Sequence, residues 1–207
     1  MDRKWISYVS PSRNRLRTTV KIETRVHAGL VCLVLLSSAQ VSALDCNFLK
    51  HRQKVFNLQS LELWREMSTT FSPECLKKTT TFNFPTKILE IRESQPAMEA
   101  IYEILRGFFH ILSSDSLKTV WNAAHRERSL QMVHAHTKVL KSCLGGRKST
   151  PGKLEEQRNK LELKKYFRRI RTFLRGNGGS TCYWESLQQE VRSGLMYVDI
   201  LTKRMRR

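Results

Sequence analysis

Five cysteines and six histidines are the side chains here best suited to hold a metal, attack a carbonyl or cross-link the chain. Spacing decides which. Cys46, Cys75, Cys143 and Cys182 are separated by 29, 68 and 39 residues. A local zinc site or thiol redox motif needs close pairs such as C-x-x-C, and there are none. His134 and His136 are two apart, which turns them to different faces of a helix. No H-E-x-x-H occurs, so no metal site is expected. G-x-S-x-G and G-x-x-x-x-G-K-[ST] are also absent. Gly176, Gly178 and Gly179 follow an apolar-periodic segment, whereas a phosphate loop follows a strand and opens a helix. They read as a turn. No nucleophile is paired with a base, so neither an enzyme nor a cofactor is expected.

The N-terminus says what the cysteines are for. Residues 1–27 are basic, with Arg3, Lys4, Arg13, Arg15, Arg17, Lys21 and Arg25. The apolar run "AGLVCLVLL" follows at 28–36, then small residues to Ala43. A positive flank, a short apolar core and a small-residue exit are the parts of a secretory signal. The apolar core is too short for a membrane span, which needs about 20 residues. Cleavage is expected after Ala43, leaving 44–207 as one domain with no stable membrane insertion. Cys32 leaves with the signal. The remaining four cysteines, an even number in an oxidising compartment, read as two disulfides. Spacing alone leaves three pairings open. No N-x-S/T sequon is present.

Helices must position these groups. Met98, Ile101, Tyr102, Leu105, Phe108, Phe109 and Leu112 form one stripe of 3.6-residue period. Pro96 suits the first turn of that helix, where a missing N–H costs nothing. Trp184, Leu187, Val191, Leu195, Val198, Leu201 and Met205 repeat the pattern. Leu163, Phe167, Ile170, Phe173 and Leu174 form a third stripe, ended by the glycines. A first helix is expected over 47–67 and a weaker one over 117–144. No period-two alternation stands out, so the class is all-α. The connection 68–95 is long, with Pro73 and Pro85. Such a connection lets consecutive helices run parallel, as in an up-up-down-down bundle.

Charge is lopsided, with 37 Lys and Arg against 18 Asp and Glu, or +19. Residues 1–43 hold seven of the basic and two of the acidic side chains, so the remainder carries +14. Lys164, Lys165, Arg168, Arg171 and Arg175 recur at helical spacing opposite Phe167 and Ile170. The cations therefore form a helix face and not a disordered arm. Such a face attracts acidic receptors or heparan-type sugars. Nucleic-acid binding would interleave aromatics with the cations. Phe167 and Phe173 fall on the core side, leaving only Tyr166 to stand among them, so no nucleic-acid partner is expected.

Tyr166-Phe167-x-Arg169-Ile170-x-x-Phe173-Leu174, seven residues, then Cys182-x-Trp184 resembles the signature of the type I interferons. Tyr183 departs from it, since Ala or Thr usually stands there. The similarity covers about residues 46–205, including "SPECLKK" and "FNFP" in the long connection. It implies a long-chain helical cytokine bundle with two disulfides, Cys46 to Cys143 and Cys75 to Cys182. It also implies a secreted, extracellular protein that binds a heterodimeric cell-surface receptor and induces antiviral JAK-STAT signalling. Each disulfide would close a loop of about 100 residues, stabilising by up to about 4–5 kcal/mol in the chain-entropy model.

Family contacts transfer residue by residue. The high-affinity receptor chain is met by the long loop and the last helix. Leu76, Lys77, Lys78, Gln189, Arg192, Ser193 and Met196 are the matching positions, with Gln188 on the same helix. The loop arginine of mammalian alpha forms falls at Thr79, and Lys77 or Lys78 replaces it. Arg192 stands where those forms have methionine and Ser193 where they have arginine, moving the charge about 100° round the helix. The low-affinity chain is met by Phe109, His110, Lys164, Lys165 and Arg168. The alternative from another class is a basic helical protein acting by glycosaminoglycan or membrane binding. Trp184, Trp121, Phe167 and Leu187 are expected in the core.

Overall fold

The computed structural model describes residues 46–67, 74–75, 80–114, 117, 122–145, 153–176 and 181–206. The expected export signal, Trp121, and Leu76, Lys77 and Lys78 lie outside these. Among the described residues there are five long α-helices and no strand. They are α1 (Leu49–Met67), α2 (Ser94–Leu112), α3 (Ala123–Gly145), α4 (Lys153–Gly176) and α5 (Thr181–Arg204). A 3-10 segment, Thr86–Glu90, precedes α2.

The apolar stripes become the core. Met98, Ile101, Leu105, Phe108 and Leu112 of α2 are buried, as are Leu163, Phe167, Ile170 and Leu174 of α4. The whole stripe from Trp184 to Met205 along α5 is buried. Local chemistry sets the helix ends. Pro96 sits in the first turn of α2. Glu155 and Glu156 open α4 and Arg175 closes it, each charge favourable to the helix dipole. The weaker segment differs from expectation. It starts at Ala123 and not at Leu117, because Asn122 Oδ1 accepts from the N–H groups of Ala124 (3.0 Å) and His125 (3.2 Å). That is an N-cap, which opens α3 at Ala123. Leu117 is nevertheless fully buried.

Contacts fix the directions. Cys46 bonds Cys143, Gln53 meets His136, and Met67 meets Ser129, so α1 and α3 run antiparallel. Lys50 reaches the Met205 carbonyl and Gln188 the Met67 carbonyl, so α1 and α5 also oppose. Ser94 lies by Met205, and Gly194 lies by Phe108, so α2 opposes α5. Two helices run up and two down, with the long connection carrying the chain from α1 to α2, which runs in the same direction. The fifth helix, α4, runs parallel to α2, since Glu103 meets Lys160 and Gly107 meets Phe167.

Two glycines let α2, α4 and α5 approach closely. A Cβ on Gly107 would lie 2.3 Å from the Phe167 ring, and one on Gly194 2.1 Å from the Phe108 ring. Those two rings meet edge to face at 5.2 Å, a favourable aromatic geometry. The core also holds a polar chain. His136 Nε2 meets Gln53 Oε1 at 2.7 Å, Gln53 Nε2 donates to Asn57 Oδ1 at 2.8 Å, and Asn57 Nδ2 donates to Thr202 Oγ1 at 3.0 Å. Thr202 in turn donates to the Val198 carbonyl. The chain joins α3, α1 and α5, and each buried polar group in it finds a partner, as burial demands.

Candidate functional site

The signature residues form the joint between the long connection and the last two helices. Arg169 of α4 donates from Nε to the Phe82 carbonyl (2.9 Å) and from Nη2 to the Asn83 carbonyl (2.8 Å). Asn83 has φ 51, a left-handed conformation that Asn tolerates better than most residues. The guanidinium fork thus fixes a turn that pattern reasoning does not reveal. Phe82 meets the Phe173 ring edge-on at 4.9 Å, and Phe84 lies between Tyr166 and Tyr197. The phenylalanines of "FNFP" are therefore gripped by aromatic rings of α4 and α5.

Tyr166 is a correction. It does not stand among the α4 cations but is fully buried. Its hydroxyl donates to Glu190 Oε1 at 2.6 Å. Burial first, then the Glu190 charge, pushes its ionisation far above the ordinary range, so it remains a neutral donor. Burial likewise raises Glu190, opposed by the Tyr166 hydrogen bond. Tyr183 has a plain role. Its ring stacks on Phe173 at 4.1 Å and its hydroxyl donates to the Phe173 carbonyl. A larger residue at this position fills the α4–α5 corner and caps a carbonyl near the end of α4.

Cys75 is bonded to Cys182 with Cα atoms 4.9 Å apart, and Cys46 to Cys143 at 5.4 Å. The first bridge ties the long connection to the start of α5. The second ties the start of α1 to the end of α3. Gln189, Arg192 and Met196 follow one another along the outer face of α5, Met196 being 43% exposed, with Ser193 half-buried beside them. Gln189 and Ser193 share a groove of about 460 Å³ with the Thr80–Phe84 end of the connection. Gln188 leaves this group. It is buried, and its amide donates to the Met67 carbonyl at 2.6 Å.

The second set of residues is less unified. Lys164, Lys165 and Arg168 are exposed on α4. Lys165 pairs with Glu162 at 2.8 Å. Lys160, one turn before Lys164, pairs with Glu103 of α2 at 3.0 Å, so this cationic face runs beside α2. His110 is exposed, three residues beyond Gly107 on the α2 side that meets α4. Phe109 turns elsewhere, its half-buried ring 5.5 Å from that of His134 on α3. Among the described residues, no three His, Cys, Asp or Glu stand together as metal ligands. No described helix is long and apolar enough to cross a membrane.

Sequence reasoning missed the polar core. One signal was available: Leu49, Gln53, Phe56, Ser60 and Leu63 fall on one helical stripe, so Gln53 and Ser60 occupy core positions.

Comparison with known proteins completes the assignment. The interferon alpha/beta domain pattern matches residues 49–205. Interferon type A3 of Gallus gallus is 31% identical over 179 residues, covering 86% of this chain and 92% of that protein. Interferon epsilon of Homo sapiens is 28% identical, covering 84% and 85%. The solved structure of zebrafish interferon 1 superposes with a TM-score of 0.64 at 19% identity, covering 76% of this chain and 99% of that one, a likeness of fold. With its helix order, sulfur bridges and signature joint, the chain belongs to the interferon alpha/beta family: it is a type I interferon cytokine and not an enzyme.

Proposed function

We propose that this chain is exported after removal of residues 1–43 and acts outside the cell, joining two chains of a type I interferon-like receptor. Engagement of both chains induces antiviral JAK-STAT signalling in the responding cell. The observation that carries the reading is the exposed α5 stripe, Gln189, Arg192 and Met196, lying beside a connection anchored by Arg169 and by the Cys75–Cys182 bridge. This surface, completed by Leu76, Lys77, Lys78 and Ser193, meets the high-affinity chain. Anchoring both halves beforehand lowers the ordering cost of association. The α2–α4 face, with Lys164, Lys165, Arg168, His110 and Phe109, meets the low-affinity chain. Sulfated-sugar binding is a secondary property, supported by the charge of +14 left after export.

Reporter cells lacking one receptor chain or the other test the reading, and both losses should abolish the response. R192E/M196A should lose affinity for the high-affinity chain. K164E/K165E should fold normally and signal only at about tenfold higher concentration or more. Equal potency of K164E/K165E and the parent removes the α4 face from the proposal. Intact mass of the secreted product, with and without reductant, checks the cleavage position and both bridges.

A further inference from the structure

The end of the bundle where α1 and α2 begin and α3 and α5 finish holds a groove of about 700 Å³. That volume suits a segment of a larger ligand more than a single ion. Lys50, Lys54 and Arg206 line it, and among its described lining residues there is no carboxylate. The contrast with α4 is informative, because the cations there are interleaved with Glu155, Glu156 and Glu162. A concave surface of one charge sign focuses its field more strongly than a convex helix face of mixed sign. Phe48, 63% exposed, stands at the rim, with Ser94 and Gln95 opposite as neutral hydrogen-bonding groups. An apolar ring face, hydroxyl-binding groups and permanent cations match the three surfaces of a sulfated sugar chain.

We propose that this groove binds sulfated polysaccharide of the cell surface or matrix. The proposal rests on the export reading and assigns its secondary property to one site. Export also selects among polyanions, since the anionic surface potential of cell membranes belongs to the cytoplasmic leaflet. None of the residues assigned to either receptor chain lines the groove, so sugar and receptor are held together without competition. Lys50 has a structural duty as well, because its ammonium reaches the Met205 carbonyl. The backbone N–H of Arg206 donates to the Arg92 carbonyl at 2.9 Å, which keeps the chain end in place whatever its side chain.

The test is titration of the mature protein with a heparin oligosaccharide across a range of salt. K54A/R206A should bind at least tenfold more weakly near physiological salt, and its log affinity against log salt should flatten by about two. K164A/K165A/R168A should change affinity less than threefold. Should K54A/R206A fold poorly, K54E alone, at an exposed helix position, carries the same readouts. Unchanged binding by the groove variant, or equal loss from both variants, overturns the assignment. Equal binding of desulfated heparin overturns it too, as does equally tight binding to phosphatidylserine vesicles. Reporter activity on cells unable to sulfate sugars separates the two proposals. There K54A/R206A should match the parent, whereas failure of the parent to signal on sugar-bearing cells as well counts against receptor action and not against this site.

Discussion

His136 lies with its ring flat against Phe56 at 4.3 Å, where an imidazolium would lose its water and face the neutral Gln53. Burial, with Arg52 adding a like charge, pushes its ionisation down from 6.5 to about 4. Below pH 6.5 the unfolded chain therefore takes up a proton that the folded chain refuses. This residue's contribution to stability is complete above 6.5 and is lost as pH falls toward 4, a span of about 3 kcal/mol. Glu99 works in the opposite sense. Burial, then a hydrogen bond with Glu156, raises it to about 7, so its effect is most favourable at acid pH and weakens as pH rises from 4.5 through 7. Glu99 is only half-buried, and solvent screening reduces its weight. The two slopes overlap, so the difference between parent and variant is what isolates His136. H136Q should be less stable than the parent at pH 7.5, having lost the ring stack, and should show a flatter decline between pH 6.5 and 4. Urea melts at several pH values check this, and parallel profiles would remove His136 as the source.

At the scale of elements, the glycine pair sets how near α2 comes to its neighbours. Ala is favoured over Gly in a helix interior by about 1 kcal/mol, yet at Gly194 the added methyl would lie 2.1 Å from a ring with nowhere to retreat. Phe108 is only 1% exposed. Overpacking of this kind costs about 1–3 kcal/mol, so after the gain in helix propensity G194A is expected to destabilise by up to about 2 kcal/mol. G145A is the comparison, since nothing lies within 4 Å of a Cβ there, and it should be near neutral. Thermal melts of both give the answer, and a stabilised G194A would mean that α2 and α5 can separate without loss. The α4–α5 corner follows the same logic through polar contacts. Arg169 holds two loop carbonyls, which makes a signature arginine the clamp of a turn instead of a surface charge.

For the molecule as a whole, the two bridges close separations of 97 and 107 residues. Their chain-entropy contributions are nearly equal, up to about 4–5 kcal/mol each, but they do different work. Cys46–Cys143 joins ends of α1 and α3 at the groove that faces sugar in the present proposal. Cys75–Cys182 joins the long connection to the start of α5, the two halves of the surface proposed to meet the high-affinity receptor chain. C46S/C143S and C75S/C182S should therefore lower the melting temperature comparably, whereas C75S/C182S should lose more affinity for the isolated high-affinity receptor chain. Measurement well below both melting temperatures separates the effects. Equal affinities would show that the loop and α5 are ordered without their bridge.

The apolar stripes of α2, α4 and α5 were legible in the sequence because a helix repeats every 3.6 residues, and that repeat is local. The missing metal-binding and catalytic motifs, the cationic face of α4 and the length of the first connection were legible for the same reason. Other features depend on which distant segments meet. Unaided spacing left three cysteine pairings open, and only packing brings residue 46 to 143 and residue 75 to 182. Packing also turns Tyr166 inward, buries Gln188, and threads Gln53, Asn57 and Thr202 into one hydrogen-bonded chain across residues 145 positions apart. The cation-lined groove belongs to no single element, since the ends of four helices build it. A local period states which face of a helix is apolar; only the assembled bundle decides what that face, and each polar residue within it, will touch.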